Sequence, residues 1–247
     1  MLNFSPAVES WDYVDSYGNV CTRITAPPGR MTVSSEFDIY DVRTPDIVPH
    51  DAAQHSIRDL PDDTLIYLVG SRYCETDKLT DIAWQMFGHV QQNWPMVQAI
   101  LDFVHNHISF NYQNADRTRT AFGAFTERTG VCRDFAHLAL TLCRCMNIPA
   151  RYCTGSLGDI GVPPVPLPMD FSGWFEVYLG GHWYTADARH NTPRIGRTLM
   201  AIGRDATDVA LSMQFGPALL SDFSVTIYEV VPQPDAGSDS DAGGQTV

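Results

Sequence analysis

The sequence predicts an α+β fold in which helices pack on an antiparallel sheet, with a small β-meander ahead of them. Residues 76–147 carry four stretches of helical character, the last opening on a glycine-preceded cysteine, Cys132. A hairpin signal follows: Trp174-Phe-Glu-Val-Tyr-Leu179, then Gly180-Gly181, then His182-Trp-Tyr-Thr-Ala-Asp187, with the two glycines as a two-residue turn. Helices first and strands afterwards is an α+β order, because a parallel sheet would need the two to alternate.

Taken in order, short β-type runs at residues 10–14, 20–26 and 30–42 are separated by Asp15-Ser-Tyr-Gly-Asn19 and Pro27-Pro-Gly29, the pattern of a three-stranded meander. Residues 44–64 are rich in Pro, Asp and His without periodicity and read as a surface linker. The expected organisation is a β-rich region with linker at 1–64, a core domain at 65–232 and an acidic tail at 233–247. The Gly, Ser and Asp of that tail cannot bury enough apolar area to order it. Within the core, residues 76–87 read as a helix capped by Thr76. Asn93-Trp-Pro95 opens a second, with asparagine as cap and proline in the first turn. Residues 120–128 make a third, with Gly130 at the left-handed position that ends a helix. Pro149 stops the cysteine helix near Asn147, a strand follows at 150–155, 158–169 is a proline-rich loop, and 218–230 reads as a final strand.

Cys132 is the residue to explain. Phe135, Ala136, Ala139, Leu142, Cys143 and Met146 share its helix face, while Arg133, His137, Thr141 and Arg144 fall opposite. The helix is thus expected to bury the stripe that Cys132 begins. A thiol in a first helical turn meets unpaired amide N–H groups and the positive end of the macrodipole, which favour thiolate, the setting of a nucleophile. A small buried hydrophobe is the other reading of such a cysteine. Asp134 in the same turn is explained by helix capping.

Composition narrows the function. At 247 residues and 44% hydrophobic, the chain can bury a full core. A formal net charge of -13 argues against nucleic acid or an anionic membrane as partner. The six cysteines show neither a Cys-x-x-Cys pair nor a secreted disulfide framework, and read as reduced thiols. With no leader segment and no apolar run of membrane-spanning length, the expected location is the cytoplasm. The histidines form no His-Glu-x-x-His arrangement, and no acidic loop suits calcium, so no metal or other obligatory cofactor is expected.

Three separated motifs then carry a resemblance. Gly130-Val-Cys-Arg-Asp-Phe-Ala, Cys143-Arg-Cys-Met-Asn-Ile-Pro-Ala-Arg151 and the hairpin from Trp174 to Asp187 resemble the transglutaminase-like superfamily over residues 65–230. Asp15-x-Tyr-Gly-Asn19 and Pro28-Gly29 look like the β-rich region ahead of the core in its bacterial members. The resemblance implies a papain-like core, Cys132 as nucleophile and Asp187 as the acid that orients a histidine. It also implies acyl transfer: thiolate attack on a peptide or protein amide, a thioester, then release to an amine or to water. The family's Asp-Phe-His-Ala-Trp reads here Asp170-Phe-Ser-Gly-Trp174, so Ser172 stands at the usual catalytic histidine position.

A hydroxyl cannot carry a proton near neutral pH, so any base must come from elsewhere. In a hairpin with a two-residue turn, Leu179 pairs with His182 and Trp174 with Asp187. That puts Ser172, Glu176 and Asp187 on one face, and His182 at the far end. His137 lies roughly 140° around the helix from Cys132. His190 is the remaining candidate. Strand alternation turns it away from the catalytic face, and a bulge or strand end could redirect it. The functions left open are a cysteine acyl-transfer or amide-hydrolysing enzyme with a displaced base, a non-catalytic domain that binds a peptide or protein partner, and an enzyme using substrate or water as proton acceptor.

Overall fold

A computed structural model describes residues 2–165 and 169–230; the tail assigned to 233–247 lies outside them. β1 (Asn3–Ser5), β2 (Ser10–Val14), β3 (Val20–Ile24) and β4 (Thr32–Ser34) make two separate antiparallel ladders, β2 with β3 and β1 with β4. The expected three-stranded meander therefore does not form. Pro27 and Pro28 have no N–H to donate to a ladder beside β3, and the run beyond them pairs with the start of the chain instead.

The turn between β2 and β3 explains its residues. Asp15 Oδ1 accepts from Tyr17 N (2.8 Å) and Asn19 N (2.9 Å), while Gly18 takes a positive φ of 88°. Asn19 is thereby aimed outward: its Nδ2 donates to Ile202 O and its Oδ1 accepts from Ile202 N, both at 2.8 Å.

The core is built from α1 (Thr76–Phe87), α2 (Trp94–His107), α3 (Ala121–Glu127) and α4 (Cys132–Cys145) on a sheet of β7 (Ala150–Leu157), β8 (Ser172–Leu179), β9 (His182–Ala186) and β10 (Arg197–Gly203). Two short strands, β5 (Ser109–Phe110) and β6 (Thr129–Gly130), run parallel just before α4. The four-stranded sheet has the order β10-β7-β8-β9 and is antiparallel throughout. Leu179 pairs with His182 across Gly180 and Gly181, whose φ values of 56° and 87° suit a tight hairpin turn. Tyr152, Phe175, Val177, Leu179 and Ala186 join the core formed with the helices, and alternation puts Trp174 and Cys153 on the opposite face.

Because α1, α2 and α3 cover one side of α4 and β7 and β8 the other, α4 is buried on every side. The face opposite Cys132 is buried as well: His137 and Thr141 are fully buried and Arg144 is 2% exposed. Arg144 is not solvated but donates to the carbonyls of Ala150 (2.8 Å), Val69 (3.1 Å) and Arg204 (2.5 Å), tying α4 to the ends of other elements.

Two further expectations are corrected. The left-handed residue ending α3 is Arg128 (φ 56°) and not Gly130. Gly130 is small because a Cβ there would lie 2.7 Å from Asp134 Oδ2. Residues 218–230 form no strand. The segment crosses the proline-rich loop instead, with Phe223 5.9 Å from Phe171.

Candidate active site

Val131 precedes α4 with an extended backbone, and Asp134 folds back so that its Oδ2 accepts from Val131 N at 2.9 Å. Asp134 also pairs with Arg133 (3.0 Å) and Arg119 (3.3 Å), with its side chain fully buried. The first turn of α4 is therefore rigid, and Cys132 sits half-buried at its head.

β8 runs unusually close to this turn. At Gly173 a Cβ would fall 2.2 Å from Tyr152 Oη and 3.5 Å from Arg133 Cα, so only glycine admits the approach. The backbone N–H groups of Gly173 and Arg133 act to lower the Cys132 pKa. Ser172, the next residue back, begins β8 opposite Gly155. Burial pushes the Cys132 thiol above its ordinary pKa, against the pull of those N–H groups and of the Arg189 charge. The helix start alone was expected to favour thiolate; desolvation outweighs it.

Asp187 lies just beyond β9, where the chain leaves the strand in a turn closed by Asn191 N on Asp187 O (2.8 Å). The carboxylate organises that turn. Oδ1 accepts from Arg189 N (3.0 Å) and His190 N (3.2 Å), and Oδ2 from His190 Nδ1 (2.9 Å) and Arg197 Nη2 (3.0 Å). Burial opposes its charge, but the His190 hydrogen bond and the Arg197 guanidinium hold its carboxyl well below the usual range. Being ionised, Asp187 can only accept, so the proton on His190 is at Nδ1 and Nε2 is left as the basic nitrogen. Strand alternation does not govern His190 because the strand has ended at Ala186; the turn capped by Asp187 sets its ring on that carboxylate instead.

Several contributors gave no sequence signal. Arg197 bridges Asp187 to Asp46 (3.2 Å) and lies 4.6 Å over Trp174. His105 Nδ1 bonds the carbonyls of Ala188 (3.1 Å) and Arg189 (3.0 Å), pinning the turn to α2. Arg189 rests 3.9 Å over Phe110 and against the Tyr112 phenol. Its charge lowers the Cys132 pKa and that of Asp187 raises it.

Other candidates are spoken for elsewhere. Glu176 pairs with Arg151 at 2.6 Å. His137 stacks 5.0 Å from Tyr73, and its Nε2 accepts from Ala206 N. His182 is exposed at the hairpin turn. All six cysteines are free. Among the described residues no three His, Cys, Asp or Glu side chains cluster as metal ligands, and no helix is long and apolar enough to cross a membrane.

Residues 80–188 match the model of the transglutaminase-like superfamily. The crystal structure of a Cytophaga hutchinsonii protein named "Putative Cysteine Protease" superposes with a TM-score of 0.72 at 30% identity, covering 93% of this chain and 82% of that one. An uncharacterized protein of Mycobacterium leprae (strain TN) is 24% identical over 214 residues, 83% of this chain and 75% of its own length.

Proposed function

The chain belongs to the transglutaminase-like superfamily, and from that premise we propose that it is a cysteine enzyme that transfers or hydrolyses acyl groups of peptide or protein amides. Cys132 is the nucleophile, His190 the base in place of the usual histidine at Ser172, and Asp187 the acid that orients it. The observation that carries this reading is the 2.9 Å contact of His190 Nδ1 with Asp187 Oδ2. It supplies the histidine–carboxylate half of a triad from a position three residues beyond the aspartate.

The steps follow from the residues. His190 Nε2 takes the Cys132 thiol proton, and the sulfur attacks the amide carbonyl carbon while the C=O electron pair moves to oxygen. When that pair returns, the C–N bond breaks and the departing nitrogen takes the proton from the imidazolium. A thioester remains. Water or a second amine then attacks it with His190 again as base, and the C–S bond breaks to restore the thiol.

The raised pKa of the buried thiol supports a second reading, a cleft that binds a peptide or protein without chemistry. A pH series of iodoacetamide labelling at Cys132 separates the two. A working pair gives thiolate well below neutral pH, and His190→Ala removes that low-pH labelling. A single transition above the ordinary thiol value, unchanged in His190→Ala, would sink the catalytic reading.

A further inference from the structure

We propose that Arg189 is a specificity residue that holds a carboxylate of the substrate beside Cys132, so that the site takes acyl donors with an acidic group next to the reacting amide. This rests on Cys132 being the reacting thiol, as proposed above.

Arg189 is held on three sides. Its N–H donates to Asp187 Oδ1 at 3.0 Å, its carbonyl accepts from His105 Nδ1 at 3.0 Å, and its guanidinium lies 3.9 Å over the Phe110 ring. Phe110 is in register with Gly130, two residues before Cys132, so this stack is built on the same short ladder that leads into α4. An arginine placed this firmly loses little further freedom when it binds a ligand, and its planar fork of donors matches a carboxylate.

Its charge is also unspent. Arg133 and Arg197, which flank the same site, hold Asp134 and Asp187, whereas Arg189 has no carboxylate within ion-pair distance among the described residues and remains half-exposed. The other charged groups around it are accounted for. Asp187 is ion-paired with Arg197 and hydrogen-bonded by His190 Nδ1, and the exposed Asp170 turns its Oδ1 onto Phe171 N (2.7 Å). On a chain of net charge -13, which repels anions at long range, a fixed cation stacked on the ladder that leads into the Cys132 helix admits an acidic substrate that the rest of the surface would turn away. A neutral amide substrate needs no such group.

Two small alkylating probes test this without knowledge of the substrate. Iodoacetate and iodoacetamide react with the same thiolate, form the same S–C bond and expel the same iodide; they differ in a carboxylate against a carboxamide. The ratio of their rates at Cys132, read by mass spectrometry of the labelled peptide, therefore cancels the thiolate fraction and reports recognition of the carboxylate alone. We expect the iodoacetate-to-iodoacetamide ratio to fall about tenfold in Arg189→Gln at low ionic strength, as expected for losing one charge-assisted hydrogen bond. Arg189→Lys should fall between, and salt should erode the wild-type preference. An unchanged ratio in Arg189→Gln overturns the proposal, as does an equal loss of rate toward both probes, which would make Arg189 a support of the thiolate only. A slow Cys132 that still shows the ratio change would remove the catalytic reading and leave the carboxylate site standing.

Discussion

Replacing Asp187 by asparagine removes a charge with almost no change in volume, and the structure sets what that costs. The carboxylate accepts four hydrogen bonds, two on Oδ1 from the turn backbone and two on Oδ2 from His190 and Arg197. Asparagine has one accepting oxygen. It either keeps the turn and points its NH2 at two other donors, or keeps those donors and gives up the turn. Arg197, whose side chain is 8% exposed, is then left with Asp46 at 3.2 Å as its carboxylate partner. Breaking a buried ion pair outright costs roughly 3–5 kcal/mol. With Asp46 still in place, the lower end applies, about 3 kcal/mol at pH 7.5, measured by urea unfolding. The pH dependence is a second handle. A carboxyl whose folded pKa is depressed, as here, stabilises the fold fully above its unfolded pKa and loses that contribution as pH falls through the folded value. The stability gap between wild type and Asp187→Asn should stay level from about pH 8 to pH 5 and close below about pH 4. Equal stability at pH 7.5, or a gap that persists unchanged in acid, would refute the reasoning.

Two other perturbations probe the frame around the site. Burial holds the His137 imidazole well below its ordinary pKa, so the unfolded chain takes up a proton that the native state refuses, and stability falls as pH drops below about 6.5 by up to ~1.4 kcal/mol per pH unit. In His137→Gln that part of the slope should vanish in urea titrations at pH 7, 6 and 5; parallel curves for the two proteins would show that His137 is not the group responsible. At Gly155 a Cβ would stand 1.9 Å from the Thr198 carbonyl oxygen and 2.9 Å from Trp174 Cη2, so Gly155→Ala must force β10 away from β7. A loss of about 2 kcal/mol, or a Tm lower by about 4–8 °C, is expected, and a Tm within a degree of wild type would mean that the two strands have room to spare.

The elements that the sequence determined by itself are those whose causes lie within a few residues. The helix at 76–87, the second helix opening at Asn93-Trp-Pro95, and the pairing of Leu179 with His182 across two glycines follow from apolar spacing, an N-terminal proline and turn chemistry, and each is found in place. So does the cysteine at the head of its helix. The expected caps are not found, since α1 is preceded by Glu75 with no side-chain cap and Asn93 Oδ1 accepts from Gln54 N and not from its own helix. What tertiary structure decided is where polar groups find partners. Whether Arg144 is solvated depends on carbonyls at Val69, Ala150 and Arg204, which only the folded chain brings to it. His190 shows both halves at once. Its closeness to Asp187 is local, a carboxylate capping its own turn. The turn itself is held by Arg197 from another strand and His105 from another helix, and the Cys132 pKa is raised by burial that no single segment supplies. Backbone geometry is written in neighbouring residues, whereas desolvation and charge pairing are sums over distant chain segments that meet only once the core has closed.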